Sequence, residues 1–112
     1  MDAESLLPLH PRDYLILFSL TGGERHGYGI VKDVEAESDG GVKLDPANLY
    51  RSLRRLERDA LIARYANDGG GRRQPFGLTD LGQQALSAEA QRLVLLADAA
   101  RARNLVDPKV PA

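Results

Sequence analysis

The sequence predicts a mostly α-helical fold that carries one small β-hairpin. Three observations lead to this prediction. Apolar residues recur at helical spacing in several segments, glycine pairs and prolines separate these segments, and one glycine-rich turn lies between two short runs of strand-forming residues. The 112 residues are enough for one small domain with one extra element.

The first two helices are bounded by proline and glycine. A first helix is predicted over residues 11–21, because Pro11 suits a first helical turn and Gly22-Gly23 ends it. Its middle is apolar nearly all round and must be covered on more than one side. A second helix is predicted over residues 28–38, before Gly40-Gly41. Its residues expected to face the core are Tyr28, Ile30, Val31 and Val34.

The third helix, predicted over residues 46–60, has two different faces. Asp45 is a suitable N-cap, and Pro46 suits the first helical position. With about 100° between successive residues, one stripe is apolar; it consists of Leu49, Leu53, Leu56 and Ala60. The opposite face is polar, with Tyr50 at its border; it consists of Ala47, Asn48, Arg51, Arg54, Arg55 and Arg58. We expect this helix to bury the first face and expose the second.

A β-hairpin and a long helix follow. Strands are predicted at residues 61–66 and 74–78, joined by a turn at 67–71, and Pro75 and Gly77 confine the second strand to a sheet edge. Thr79 is expected to cap a last helix over residues 80–103. This order is that of a winged helix-turn-helix with a C-terminal extension. We therefore divide the chain into a winged helix-turn-helix domain at 1–78 and a C-terminal helix and tail at 79–112.

The positive charge of the chain is concentrated in one stretch. The net charge is −1, yet residues 46–77 contain seven arginines and three acids, whereas residues 1–45 contain four bases and nine acids. A local basic patch on a nearly neutral protein suits directional binding of phosphate. The alternatives are a solvated helix face and pairing with the acidic N-terminal region.

The arginines of the third helix repel one another at i,i+4 spacing, which destabilises an isolated helix slightly. Asp59 is expected to offset Arg55, and Glu57 to reach Arg54. The remaining arginines have no obvious local partner, and a polyanion such as DNA would explain them.

The hairpin turn carries two further arginines, Arg72 and Arg73, directly after three glycines. Such a tip can lie against a phosphate backbone or enter a minor groove. It lacks the lysine and the hydroxyl residue of a nucleotide-binding P-loop, and it precedes a strand rather than a helix. Nucleotide binding is therefore not predicted.

Catalysis, metal binding and membrane insertion find no support in the sequence. The chain has no cysteine, which excludes disulfides and thiolate chemistry. His10 and His26 lack a metal-type spacing and are interpreted as surface, turn or cap residues. The apolar stretches are too short to span a bilayer, and the N-terminus does not resemble a secretory signal. We expect a cytoplasmic protein that is not an enzyme and needs no cofactor.

The last helix carries more apolar surface than a solvent-facing extension needs. Its leucines and alanines recur at roughly heptad spacing, with Val94 and Leu95 widening the apolar arc. This pattern favours pairing with a second copy of the chain, in which the first helix supplies the other half of the interface. Packing on its own domain alone is the alternative. The expected interface residues are Leu15, Phe18, Leu86, Leu93, Leu96, Ala97 and Ala100.

Three stretches of the chain resemble the PadR-like transcriptional regulators: residues 26–30 (HGYGI), 44–57 (LDPANLYRSLRRLE) and 78–82 (LTDLG). The resemblance implies a dimeric winged-helix repressor of the short subgroup, in which a single C-terminal helix mediates dimerisation. It places Pro46, Ala47, Asn48, Tyr50, Arg51 and Arg54 in or beside the major groove, and Arg72 and Arg73 on the wing. Some relatives bind an aromatic effector at the dimer interface by stacking on a tryptophan, a residue that this chain lacks.

We therefore expect a homodimeric repressor that binds a pseudo-palindromic operator in double-stranded DNA. Asn48 would bond adenine, and Arg51 or Arg54 would bond guanine. The residues expected to hold phosphates are Tyr50, Arg55, Arg58, Arg72 and Arg73. An unknown small-molecule or stress signal would release the repressor. One hypothesis is a small apolar effector between the chains, at Leu15, Phe18, Leu93 and Leu96. The alternative function is a winged-helix protein-interaction module without specific DNA recognition.

Overall fold

The structure has the predicted order of helices and strands. The computed structural model describes residues 2–65 and 74–110. Within them the helices are α1 (Pro11–Ser19), α2 (Gly27–Glu37), α3 (Pro46–Arg58) and α4 (Asp80–Ala102), and the strands are β1 (Ile62–Arg64) and β2 (Phe76–Leu78). Short 3₁₀ turns lie before α1 (Ala3–Leu6) and directly after it (Leu20–Gly22). The mostly helical winged helix-turn-helix class is confirmed, whereas the turn predicted at 67–71 lies outside the described residues.

Three helices begin with the side-chain caps that the sequence indicates. The carboxylate of Asp45 accepts a hydrogen bond from the Asn48 N–H at 2.8 Å, and the Thr79 hydroxyl accepts one from the Gly82 N–H at 3.0 Å. The Nδ1 atom of His10 accepts from the Arg12 N–H at 3.0 Å, which confirms the interpretation of this histidine as a cap. These bonds satisfy first-turn N–H groups that have no partner inside the helix.

The core lies where α1, α2, α3, the hairpin and the first half of α4 meet. Its most completely buried side chains include Ile16, Leu17, Ile30, Val34, Leu53, Leu56, Leu61 and Ile62. The prediction that Tyr28 faces this core is wrong, because its side chain is 73% exposed. Tyr28 precedes Ile30 by two residues, about 200° around the helix, so the two cannot share a buried face. Ala60 is also exposed, because it follows the end of α3 with a φ of 63°.

The hairpin is antiparallel and is joined to the connection between α1 and α2. Ala63 pairs with Gly77 at its centre. Arg25 exchanges two backbone hydrogen bonds with Phe76, at 2.9 and 2.8 Å, and so extends the sheet by one bridge. A Cβ at Gly77 would lie 2.5 Å from the Tyr65 ring, so that any larger residue would displace this ring. The body of the wing is thereby fixed against the helices.

Helix α4 changes its environment along its length. Near its start, a Cβ on Gly82 would lie 2.0 Å from the Leu61 carbonyl oxygen, so this end of α4 packs directly on the backbone before β1. Ala85, Leu86 and Glu89 are buried in the chain's own core. From Leu93 onward the apolar side chains are largely exposed. Among the helices described, none combines the length and the hydropathy that crossing a membrane requires.

Candidate nucleic-acid interface

Helix α3 separates its leucines from its arginines as predicted. Leu49, Leu53 and Leu56 are at most 3% exposed and anchor the helix in the core. The exposed residues of the opposite face and of the helix start are Pro46, Ala47, Tyr50, Arg51, Arg54 and Arg58, with Asn48 half-buried beside them. Because the N-cap and the buried leucines fix the helix, its cationic face has a defined orientation.

Arg55 differs from the other arginines of α3 because it is paired inside the protein. Its Nη2 atom donates to both carboxylate oxygens of Asp13, at 2.6 and 2.7 Å. The Asp13 side chain is 10% exposed and the Arg55 side chain 39%. This pairing with the acidic N-terminal region is the alternative that the sequence left open for Arg55, and it competes with the predicted phosphate binding.

The local ion pairs expected on α3 are also wrong. Glu57 accepts from the Arg64 Nε atom at 3.2 Å instead of reaching Arg54, because β1 runs back beside the end of α3. Asp59 lies 3.8 Å from the Arg58 Nε atom instead of offsetting Arg55, because Asp59 is the C-cap residue, where the backbone leaves the helix. In the described part of the chain, Arg54 has neither an ion pair nor a side-chain hydrogen bond.

The start of α3 carries a chain of three side chains linked by hydrogen bonds. The Asn48 Nδ2 atom donates to the Asp45 carboxylate at 3.0 Å, and the Arg51 Nη1 atom donates to the Asn48 Oδ1 atom, also at 3.0 Å. Both ends of the Asn48 amide are thus occupied in the free protein. Bidentate bonding to adenine would require Asn48 to exchange these partners, which is feasible for bonds at an exposed surface.

A polar cleft lies beside the exposed face of α3, between the start of α2 and the wing. Its volume is 460 Å³, and its lining residues are His26, Gly27, Tyr28, Tyr50, Arg64, Gln74 and Phe76. His26 is the N-cap residue of α2 but makes no side-chain capping bond. The Arg64 guanidinium lies 5.3 Å from the centre of the Phe76 ring.

Most of this cleft is not apparent from the sequence. The sequence interprets His26 as a turn or cap residue and Tyr28 as a core residue, whereas Tyr50 and Arg64 belong to the basic stretch at 46–77. The cleft forms because the wing folds back beside α2, which no local pattern indicates. Arg72 and Arg73 lie outside the described residues, so their place relative to the cleft is still a prediction.

The second half of α4 presents an apolar face that the described chain leaves uncovered. Leu93 is 37% exposed, Val94 58%, Leu95 69% and Leu96 54%, and Phe18 on α1 is 37% exposed. Leu15, Ala97 and Ala100 are half-buried. Leu86 is the exception among the expected interface residues: it is 5% exposed and belongs to the chain's own core, so that assignment is corrected.

A groove of 270 Å³ runs between the first half of α1, with the residues just before it, and the middle of α4. Its lining residues are Leu9, Pro11, Tyr14, Leu15, Glu89, Arg92 and Leu93. Leu15 and Leu93 of the hypothetical effector site line this groove, whereas Phe18 and Leu96 do not.

Glu89, in the same groove, is a buried carboxylate that the sequence does not single out. It accepts hydrogen bonds from the Leu9 N–H at 2.8 Å and from the Arg92 Nη2 atom at 2.9 Å. These bonds, that of Arg92 first, lower the pKa of Glu89 below its usual range, although burial acts in the opposite direction. Glu89 thus fastens the segment before α1 to α4 as a carboxylate.

The arrangement defines a winged helix-turn-helix protein: an exposed cationic helix follows α2 and lies beside a short antiparallel wing. Within the described residues, no cluster of histidine, aspartate or glutamate could hold a metal ion. The transcriptional regulator PadR-like family matches residues 16–88, which is more than half of the chain. The chain therefore belongs to the PadR-like family, whose members are transcriptional regulators and not enzymes.

Known proteins similar to this chain include two solved regulators. A PadR family transcription regulator from Clostridium difficile is 26% identical, with a TM-score of 0.69 over 82% of this chain and 96% of that one. PadR from Bacillus subtilis, solved in complex with operator DNA, is 26% identical, with a TM-score of 0.62 over 72% of this chain and 46% of that one.

A further relative is a 37.1 kDa protein in transposon TN4556 of Streptomyces fradiae. It is 38% identical over 82 residues, which make up 73% of this chain and 23% of that protein. The chain thus spans about a quarter of the length of this relative.

Proposed function

We propose that the protein is a homodimeric repressor that binds a pseudo-palindromic operator through α3. The observation that carries this proposal is the exposed cationic face of α3, where Arg51, Arg54 and Arg58 lie opposite the buried leucines. A helix of this kind fits the major groove of DNA, and its arginines suit both guanine edges and phosphates. The operator complex of Bacillus subtilis PadR, a relative of the same fold, supports the choice of DNA as the partner.

The residues of α3 take different roles in this proposal. Arg51 and Arg54 address guanine, Asn48 addresses adenine, and Pro46 and Ala47 lie beside the bases. Tyr50 and Arg58 hold phosphates, together with Arg72 and Arg73 of the wing. Arg55 is left out of this set because Asp13 occupies it.

Dimerisation uses the apolar face of α4 together with α1. The exposed side chains of Leu93, Val94, Leu95 and Leu96 would be covered by the same face of a second copy. The symmetric pair would place two copies of α3 in successive major grooves, about 34 Å apart. This spacing is the reason to expect an operator with two related half-sites.

In this proposal the protein acts in the cytoplasm and represses transcription by occupying a promoter. Repression ends when a signal favours a dimer in which the two copies of α3 are a different distance apart. A small apolar molecule bound between the chains, next to Leu15 and Leu93, would act in this way. Calorimetry with aromatic compounds tests this part of the proposal. Heat of binding together with a change in DNA affinity supports it, and the lack of both counts against it.

A fluorescence anisotropy titration tests the proposal directly. The probe is a labelled duplex from the region upstream of the protein's own gene, and the competitor is a duplex of scrambled sequence. We expect preferential binding of the probe, with an affinity that decreases steeply as salt increases. Equal and weak binding of both duplexes would instead favour the protein-interaction module.

A further inference from the structure

We infer that Asp13 is a positioning residue that limits how strongly the protein binds any DNA: it holds Arg55 in an internal ion pair and withholds this arginine from DNA phosphates. The inference rests on the proposed function, because it assigns a role within the same interface. It concerns a residue of α1 that lies outside the helix expected to contact DNA.

The geometry of the pair favours a permanent contact. Both oxygens of Asp13 are within 2.7 Å of the Arg55 Nη2 atom, and the carboxylate is 10% exposed. A buried carboxylate that loses its cation is strongly destabilising. A phosphate that drew Arg55 away would leave Asp13 in that condition, so the internal pair opposes the exchange.

The position of Asp13 is itself held from two sides. His10 caps the first turn of α1, in which Asp13 lies. The Leu9 N–H donates to the buried carboxylate of Glu89 on α4 at 2.8 Å. The end of α1 that carries Asp13 is therefore attached to α4, and the bond to Arg55 attaches it to α3. This arrangement keeps the acceptor in place for Arg55.

The other arginines of the exposed face are available to DNA. Arg58 has a 73% exposed side chain and only a long 3.8 Å contact with Asp59. Arg51 donates to the neutral amide of Asn48. Arg54 is exposed and has no acidic partner within residues 2–65 and 74–110. Asp13 thus divides the arginines of α3 into three that can meet phosphates or bases and one that cannot.

This division affects the overall affinity for DNA, because phosphate contacts do not depend on sequence. Each additional phosphate contact strengthens binding to any DNA and steepens the salt dependence. A free Arg55 would add such a contact next to Arg51. By occupying Arg55, Asp13 lowers the affinity for operator and non-operator DNA alike, and it fixes α3 against α1.

The test measures how the logarithm of the binding constant changes with the logarithm of the salt concentration, for the operator probe and for the scrambled duplex. Arg58→Gln removes a cation assigned to a phosphate, so its slope should become shallower by about 0.9. Arg55→Gln should leave the slope unchanged. Asp13→Asn should free Arg55, steepen both slopes by about 0.9 and leave the ratio of the two binding constants unchanged at each salt concentration. The double variant Asp13→Asn with Arg55→Gln should return the slope to that of the wild type.

Glu35→Gln is the matched control for Asp13→Asn. It removes one negative charge from an exposed position on α2 and should leave both slopes unchanged. If Glu35→Gln steepened the slopes as much as Asp13→Asn, net charge would explain the effect and the inference would be overturned. A shallower slope for Arg55→Gln, equal to that of Arg58→Gln, would show that Arg55 contacts a phosphate and would also overturn it.

Two further outcomes separate this inference from the proposed function. If wild-type protein shows no preference for any operator fragment, the proposed function fails. If the preference exists but Asp13→Asn leaves both slopes unchanged in folded protein, only the inference fails. Circular dichroism at each salt concentration establishes folding. Should a single variant unfold, the double variant, which retains a neutral pair, decides by whether its slope equals that of the wild type.

Discussion

Helices α3 and α4 are both amphipathic, but their two faces are arranged differently. In α3 the division runs along the whole helix, with leucines on one side and arginines on the other. In α4 the division runs across the helix: the half before Leu93 packs in the chain's own core, and the half after it exposes its leucines. Because α3 is divided along its length, one face packs in the core while the other is free to bind a partner of different chemistry. Because α4 is divided across its length, its first half packs in the core of its own chain. Its second half needs a second core, which the described part of the chain does not supply.

The largest effect should come from placing a charge on the exposed half of α4. Leu95→Glu puts a carboxylate into the proposed dimer interface, where it would be buried without a partner. We expect monomers in sedimentation velocity, and operator affinity about 100-fold lower because the two half-sites are no longer bound together. Gln84→Glu, exposed on the first half of the same helix, should remain dimeric. A dimeric Leu95→Glu protein would contradict the proposed interface.

The buried side of α3 should contribute to stability rather than to assembly. Leu53→Ala removes a side chain that is 2% exposed and leaves a cavity. We expect the free energy of unfolding in urea to decrease by about 2–5 kcal/mol. Leu105→Ala, at a leucine that is 75% exposed, is the control and should change it little. Similar losses for both variants would mean that the core is not where the structure has it.

The exposed side of α3 should contribute to the choice of DNA sequence. Arg54→Ala should cost about 1–3 kcal/mol of discrimination at one base pair of the operator, measured with a set of single-base operator variants. Arg58→Ala should weaken binding to all of these duplexes about equally, because phosphate contacts carry no sequence information. If the two variants had the same profile, the distinction between base-reading and phosphate-binding arginines would be wrong.

The smallest effect should be found where the two halves of α4 meet, at Glu89. Its pKa is lowered from the ordinary value of 4.5, chiefly by the Arg92 hydrogen bond, so folding favours the carboxylate. This contribution to stability is present above pH 4.5 and is lost as the pH falls below it through the folded-state pKa. Glu89→Gln should lower stability at neutral pH by about 1.5 kcal/mol. Its urea stability should also depend less on pH in the acidic range than that of the wild type. An unchanged pH dependence would exclude Glu89 as the group involved.

The features that could be predicted from the sequence depend on signals a few residues apart. The start and the two faces of α3 follow from Asp45-Pro46 and from the spacing of its leucines, and both are confirmed, whereas the helix ends at Arg58, two residues before the predicted bound. The pair of Asp13 and Arg55 could not be predicted, because it joins residues 42 positions apart and depends on how α1 packs on α3. In the sequence Glu89 resembles a surface acid, because the Leu9 N–H that donates to it is 80 positions away. The prediction that Tyr28 faces the core is wrong because Tyr28 lies about 200° around the helix from the buried Ile30.

The contact between Gly82 and the Leu61 carbonyl has a consequence for how such regulators can diverge. Gly82 is where α4 approaches the Leu61 backbone most closely, and α4 continues for about 30 Å beyond it at 1.5 Å per residue. A single methyl group at Gly82 would push α4 away from the Leu61 carbonyl and, in the proposed dimer, alter the distance between the two copies of α3. One substitution at this position would therefore change the half-site spacing that a related regulator recognises, without changing any residue proposed to contact a base.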